Sequence, residues 1–160
     1  MPDLKLIALD AEDLSVMSAH LQDAVVRVGD MAYLPAEKRF VAVANRFDWA
    51  KALALGSAED KRRARAGNGF ERRRTGLRFE RVLAAKIHGL DLKDKLASLA
   101  LLAVTFDASP GTDAPDGDVT LTFSGGAAIR LSVECVEAEM KDLGAAWSAK
   151  RSPAHPDDKT

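Results

Sequence analysis

A single cysteine, three histidines and no long apolar run set the first limits on this 160-residue chain. With Cys135 alone, an intrachain disulfide is impossible and a cysteine zinc site has too few ligands, so a reducing compartment, the cytoplasm, is expected. His20, His88 and His155 are widely separated, and none belongs to an HExxH or another metal spacing, so no metal site is expected. No GxGxxG leads a strand into a helix and no glycine-rich run ends in Lys-Ser/Thr, so no cofactor is expected either. The longest largely apolar run, Leu96 to Phe106, is about half the roughly 20 residues a spanning helix needs. No membrane association is expected, and the opening MPDLKLIALDAEDL, broken by acidic residues, is unlike a signal peptide. A formal net charge of -1 gives no global drive toward nucleic acid or an anionic membrane.

What the chain does contain is enough apolar sequence, 47% of residues, for one sizeable core. Residues 1–149 therefore read as a single domain and 150–160 as a disordered tail. The strongest local pattern is Asp118 to Gly144. Val119, Leu121 and Phe123 alternate with Thr120, Thr122 and Ser124, Gly125-Gly126 fits a two-residue hairpin turn, and Ile129, Leu131 and Val133 resume the alternation. Val136, Met140 and Leu143, at spacings of four and three before Gly144, then predict a closing C-terminal helix. Cys135 stands at the start of that helix and reads as a packing residue beside Val133 and Val136.

Earlier in the chain, Asp10 is a candidate cap for a helix from Ala11 to Gln22, with Asp13 in a weak capping-box position and Leu14, Met17, Leu21 and Val25 as the apolar stripe. His20 borders that stripe. Strands are expected at Ala24–Val28, Met31–Leu34, Phe40–Ala44, Leu77–Ile87 with a possible bulge at Val82-Leu83, Ser98–Phe106, Val119–Phe123 and Ala127–Val133. Ser98–Phe106 is dense enough in Leu, Val and Phe to imply burial on both faces. Asn45 to Trp49, NRFDW, reads as aromatics closing the core with an Arg–Asp pair fixing a strand end, or as an exposed recognition edge.

Charge is unevenly placed. Ser57 to Lys86 holds ten Lys/Arg against four Asp/Glu, a local +6, while the remainder of the chain carries -7. Within it, the stretch near 57–76 lacks the apolar residues that anchor a strand or core helix, and reads as a mobile basic insertion. Arg62, Arg63, Arg65, Arg72, Arg73 and Arg74 are the candidate contacts to a partner or polyanion, with Phe70 between the clusters as a residue for stacking or for a partner's pocket.

Seven meandering strands with a closing C-terminal helix and an extra N-terminal helix give an α+β fold expectation: a mostly antiparallel barrel or split barrel of the pleckstrin-homology-like kind. An open antiparallel sheet covered by two helices is the alternative. The segments LKLIALDAEDLSVMSAHLQDAVVRVGDMAYL at Leu4 to Leu34, NRFDW at Asn45 to Trp49 and GGAAIRLSVECVEAEMKDLG at Gly125 to Gly144 resemble a family of small alphaproteobacterial proteins, domain of unknown function 2948. The resemblance spans roughly Leu4 to Trp147 and implies a bacterial cytoplasmic protein with one domain; it brings no activity and no catalytic residue with it. No stretch carries a catalytic signature. The functional expectation is a non-enzymatic binding or scaffold module contacting another protein. The alternatives are an accessory protein holding nucleic acid or another polyanion through its arginines, and a small enzyme acting on an anionic metabolite.

Overall fold

Asp10 opens the one α-helix among the described residues of the computed structural model, which are 4–47, 71–111, 114–144 and 147–148. Its side chain accepts the Asp13 N–H at 2.8 Å, while Asp13 reaches back to the Leu9 N–H at 3.0 Å, one residue before the cap that a capping box would serve. The helix α1 (Ala11–Leu21) buries Leu14, Met17 and Leu21, as their spacing predicts. Val25 lies past its end, in a strand.

Apart from two single-turn 3-10 helices, Pro35–Glu37 and Ser124–Gly126, the remaining described elements are strands: β1 (Lys5–Ala8), β2 (Ala24–Leu34), β3 (Arg39–Phe47), β4 (Glu71–Phe79), β5 (Val82–His88), β6 (Ser98–Ala108), β7 (Gly117–Phe123), β8 (Ala128–Val133), β9 (Ala138–Asp142) and the two-residue β10 (Trp147–Ser148). They form one antiparallel sheet in the order β1-β9-β4-β3-β2-β6-β7-β8-β5, with β10 alongside β4. The path ends at β1 and β5, which do not pair with each other, so the sheet is open. This corrects the expected pleckstrin-homology-like seven-stranded barrel. The open-sheet alternative is corrected as well in its second helix: among the described residues α1 is the one α-helix on the sheet, and there is no closing C-terminal helix.

The segment read as that helix is β9. Val136 and Met140 are four apart, an even number, so both fit period two as well as 3.6; Ala138 between them is buried too, while Glu137, Glu139 and Lys141 point outward. The alternation is masked at its end because the next core-facing residue is a carboxylate, Asp142, and the apolar Leu143 is exposed.

Leu77 to Ile87, expected as one strand with a bulge at Val82-Leu83, is two strands divided at Glu80-Arg81, where Arg81 adopts a φ of 62°; the bulge is present, since the β5–β8 pairing shifts between Val82 and Ala84. Both halves keep the same neighbouring chain. The Glu80 N–H bonds the Glu137 carbonyl and the Glu134 N–H bonds the Arg81 carbonyl, so β4/β9 and β5/β8 are two arms of one bent ribbon. Cys135 sits in this corner, partly buried, rather than at a helix start.

β2 is one strand across the expected break at Gly29-Asp30, with its pairing to β3 shifting between Val26 and Met31. β6 is less buried than its composition implies: Leu101 and Val104 are enclosed, whereas Leu102 stands out to solvent at a register shift. Beyond the part that pairs with β2, α1 lies against β6, and the Ser18 hydroxyl accepts the Val104 N–H at 2.9 Å. The β7–β8 hairpin forms where expected, although its loop has four residues, Ser124 to Ala127, rather than two; Gly125 and Gly126 take φ of 78° and 84°, positive values that favour glycine. The core fills the space between α1 and the inner face of the sheet, with Phe79, Phe123, Leu121, Ile129, Leu131 and Met140 among its fully buried side chains. Each such side chain contributes about 1.5–3 kcal/mol by leaving water.

Candidate functional site

Three strands meet at a buried polar cluster. Arg46 near the end of β3 and Asp142 at the end of β9 are 2% and 3% exposed, and Thr75 of β4 lies between them with no exposure. Arg46 Nη2 donates to Asp142 Oδ2 at 2.8 Å and its Nε to Oδ1 at 3.1 Å, a two-pronged pair. The Thr75 hydroxyl donates to Asp142 Oδ1 at 2.9 Å, and the Leu4 N–H to Oδ2 at 2.8 Å. Burial alone raises the Asp142 pKa, but the hydrogen bonds from Arg46, Leu4 and Thr75 and the Arg46 charge outweigh it, holding the carboxyl below the usual carboxylate range. An ionised carboxylate with all four lone-pair positions engaged has no proton to give. It works as a clamp joining β3, β4 and β9 to the chain entering β1.

The carboxylate that Arg46 holds is Asp142, 96 positions away; the Arg–Asp pair expected within NRFDW involves a residue that is not described. Asp48 and Trp49 lie outside the described residues. Among the described residues of this stretch, Arg46 and Phe47 are both buried.

Among the arginines singled out by sequence, Arg62, Arg63 and Arg65 fall outside the described residues, as does Phe70. Arg72, Arg73 and Arg74 belong to β4 and face Phe47, Arg46 and Asn45 of β3. The sequence between Glu71 and Gly76 is therefore strand, not loop. Its inward positions, Arg73 and Thr75, are polar, which removes the apolar alternation a strand normally shows. Gly76 reads as a breaker but serves close packing: a Cβ there would meet Leu143 Cδ1 at 3.3 Å. Arg73 is 4% exposed. The Arg72 guanidinium lies 3.8 Å from the centre of the Phe47 ring, and burial lowers its pKa, partly offset by the Asp23 charge. Arg74 alone of the three is exposed.

The outer face near the β1 edge presents different chemistry. Ile7 and Leu9 are 56% and 64% exposed. They line a shallow cleft of about 140 Å³ together with Arg78, Glu80, Glu137, Ala138 and Glu139. An ion-pair chain crosses it: Lys5–Glu139 at 3.4 Å, Glu139–Arg78 at 2.8 Å, Arg78–Glu80 at 2.9 Å and Glu80–Arg39 at 3.0 Å. Arg81 joins Glu137 at 3.3 Å on the cleft's far side. The cleft is below the roughly 300 Å³ at which small-molecule sites begin.

No signal in the sequence marked this face, since Ile7 and Leu9 are ordinary apolar residues in a short run; only the pairing of β1 with β9 sets them outward beside Glu139. Among the described residues, no three His, Cys, Asp or Glu side chains are placed to hold a metal ion. His20 closes α1, and His88 is exposed at the end of β5; His155 lies outside the described residues. No described helix is long and apolar enough to cross a membrane.

A protein-family model, Protein of unknown function (DUF2948), matches residues 4–155. No curated protein and no solved structure matches the chain at a significant level.

Proposed function

The chain belongs to the DUF2948 family, whose description carries no activity, and from that premise we propose that it is a non-enzymatic binding module whose ligand is another protein. The observation that carries this reading is the exposed Ile7–Leu9 pair beside a side-chain-sized cleft, rimmed by alternating charges. An apolar centre inside a polar rim is the anatomy of a protein interface. The adjacent edge adds a second attraction. Because the Asp142 N–H bonds the Leu4 carbonyl, alternation along β1 turns the backbone groups of Leu6 and Ala8 toward β9 and those of Lys5 and Ile7 outward. An extended partner segment fits along β1 with one side chain entering the cleft.

A direct test is quantitative capture of partners from the native cells by wild type and by an Ile7→Asp, Leu9→Asp double variant. Loss of a discrete protein from the variant, with its melting curve unchanged, supports the reading; an identical set of bound proteins refutes it.

A second reading, polyanion binding, has its own observation: Arg72 and Arg74 share the outer face of β4. Glu80, Glu137 and Glu139 on the same outer surface oppose it, because a phosphate backbone laid across this face meets them too. Nucleic-acid binding that weakens steeply with salt, and whose salt slope falls by about one on Arg74→Ala, would favour this second reading.

A further inference from the structure

The opposite end of the sheet is built differently. β5 is a seven-residue edge strand with neither proline nor acidic residue, and Lys86 and His88 are its polar side chains. Leu83 and Ile87 on it are 51% and 39% exposed. Strand edges of this kind are templates for pairing.

The backbone directions follow from the ladder. The Phe123 N–H bonds the Ala127 carbonyl and the Glu134 N–H bonds the Arg81 carbonyl. By alternation, Ala128, Arg130 and Ser132 of β8 face β5, so their partners His88, Lys86 and Ala84 use their N–H and C=O groups internally. Ala85 and Ile87 direct theirs to the open edge. At the start of the strand that edge is already occupied, since the Val82 N–H donates to the Lys38 carbonyl at 2.9 Å. At the other end the chain turns away at Gly89, whose φ is 74°. Among the described residues the open stretch is thus Leu83 to Ile87, and its middle residue is Ala85.

We propose that β5 pairs antiparallel with β5 of a second copy of this chain, about a two-fold axis at Ala85. In this register Leu83 meets Ile87 of the second copy twice, and Lys86 lies opposite Ala84. Shifting the axis by one residue, to Lys86, places the two Lys86 side chains directly opposite each other, a destabilising pair. The formal net charge of -1 puts little repulsion between copies. The five-residue ladder makes this a weak, reversible dimer, separate from the partner face at β1.

The test uses the full chain with Cys135→Ser, which removes the only native thiol. In the proposed register, Ala85→Cys brings two thiol-bearing residues opposite each other with Cα atoms about 5.5 Å apart, within disulfide range. Ile87→Cys residues would stand roughly 14 Å apart, out of range. Mild oxidation is expected to give about tenfold more covalent dimer from Ala85→Cys than from Ile87→Cys. Ala85→Pro removes an edge-facing N–H, so it is expected to keep the melting curve while abolishing the concentration-dependent dimer that wild type is expected to show in sedimentation. Equal or greater cross-linking through Ile87→Cys, no covalent dimer from either, or a wild type that sediments as a monomer at every concentration would each overturn the proposal.

Discussion

Removing the Asp142 carboxylate is the sharpest perturbation of the fold. Asp142→Ala deletes four hydrogen bonds at once and leaves the Arg46 guanidinium buried without its counter-charge. Breaking a buried pair from one side costs about 3–5 kcal/mol, because the remaining charge loses both its partner and its water. For a chain of this size each kcal/mol lowers the melting temperature by about 2–4 °C, so the expected loss is roughly 6–20 °C. Thr75→Val removes the hydrogen bond donated to Asp142 and the one accepted from Arg46 Nε, and is expected to cost at least about 1.5–3 kcal/mol. The paired replacement Arg46→Met with Asp142→Leu removes both charges together, and its cost is expected to fall short of the summed single costs by more than about 1 kcal/mol. Urea unfolding followed by circular dichroism measures these three variants together with the two single replacements Arg46→Met and Asp142→Leu. The reasoning fails if Asp142→Ala costs less than about 1 kcal/mol, or if the double variant equals the sum of the singles.

Other outcomes follow from the same geometry. Since the Asp142 pKa is depressed in the folded protein, its stabilisation is fully present above the unfolded carboxyl value of about 3.9 and is lost as pH falls through the lower folded value. Asp142→Asn is therefore expected to flatten the fall in stability below pH about 4, as read from urea midpoints across acid pH. Asp10→Ala, which frees the Asp13 N–H, is expected to cost about 1 kcal/mol in the same assay. Arg74→Ala is expected to change stability by less than about 0.5 kcal/mol. Arg73→Ala, at a strand position that is 4% exposed, is expected to cost clearly more than Arg74→Ala; equal costs would mean that this stretch is not held in the sheet.

The parts of the fold legible in the sequence are those where apolar side chains repeat. Leu14, Met17 and Leu21 mark α1, and Val119 to Val133 mark the β7–β8 hairpin, because every inward position there is apolar. The parts that escaped are those where the core is polar. Arg46, Arg73, Thr75 and Asp142 occupy inward positions of β3, β4 and β9, so β9 looks helical and the start of β4 looks like loop. Their pairing joins residues far apart in the chain, and local periodicity holds no record of it. The division of β4 from β5 escaped for another reason: both arms stay paired to one continuous chain, β8 into β9, and the bend rests on the left-handed turn at Arg81. The β1 face was hidden because exposure of Ile7 and Leu9 depends on which strand covers which side, a property of the assembled sheet.

The central functional claim is that another protein docks on the Ile7–Leu9 face. A photo-reactive amino acid placed at Ile7 in living native cells, compared with one at the exposed Thr122 of β7, tests it most directly. A discrete cross-linked protein is expected from position 7, and none in common with position 122. The same products from both positions, or none from position 7, would contradict it.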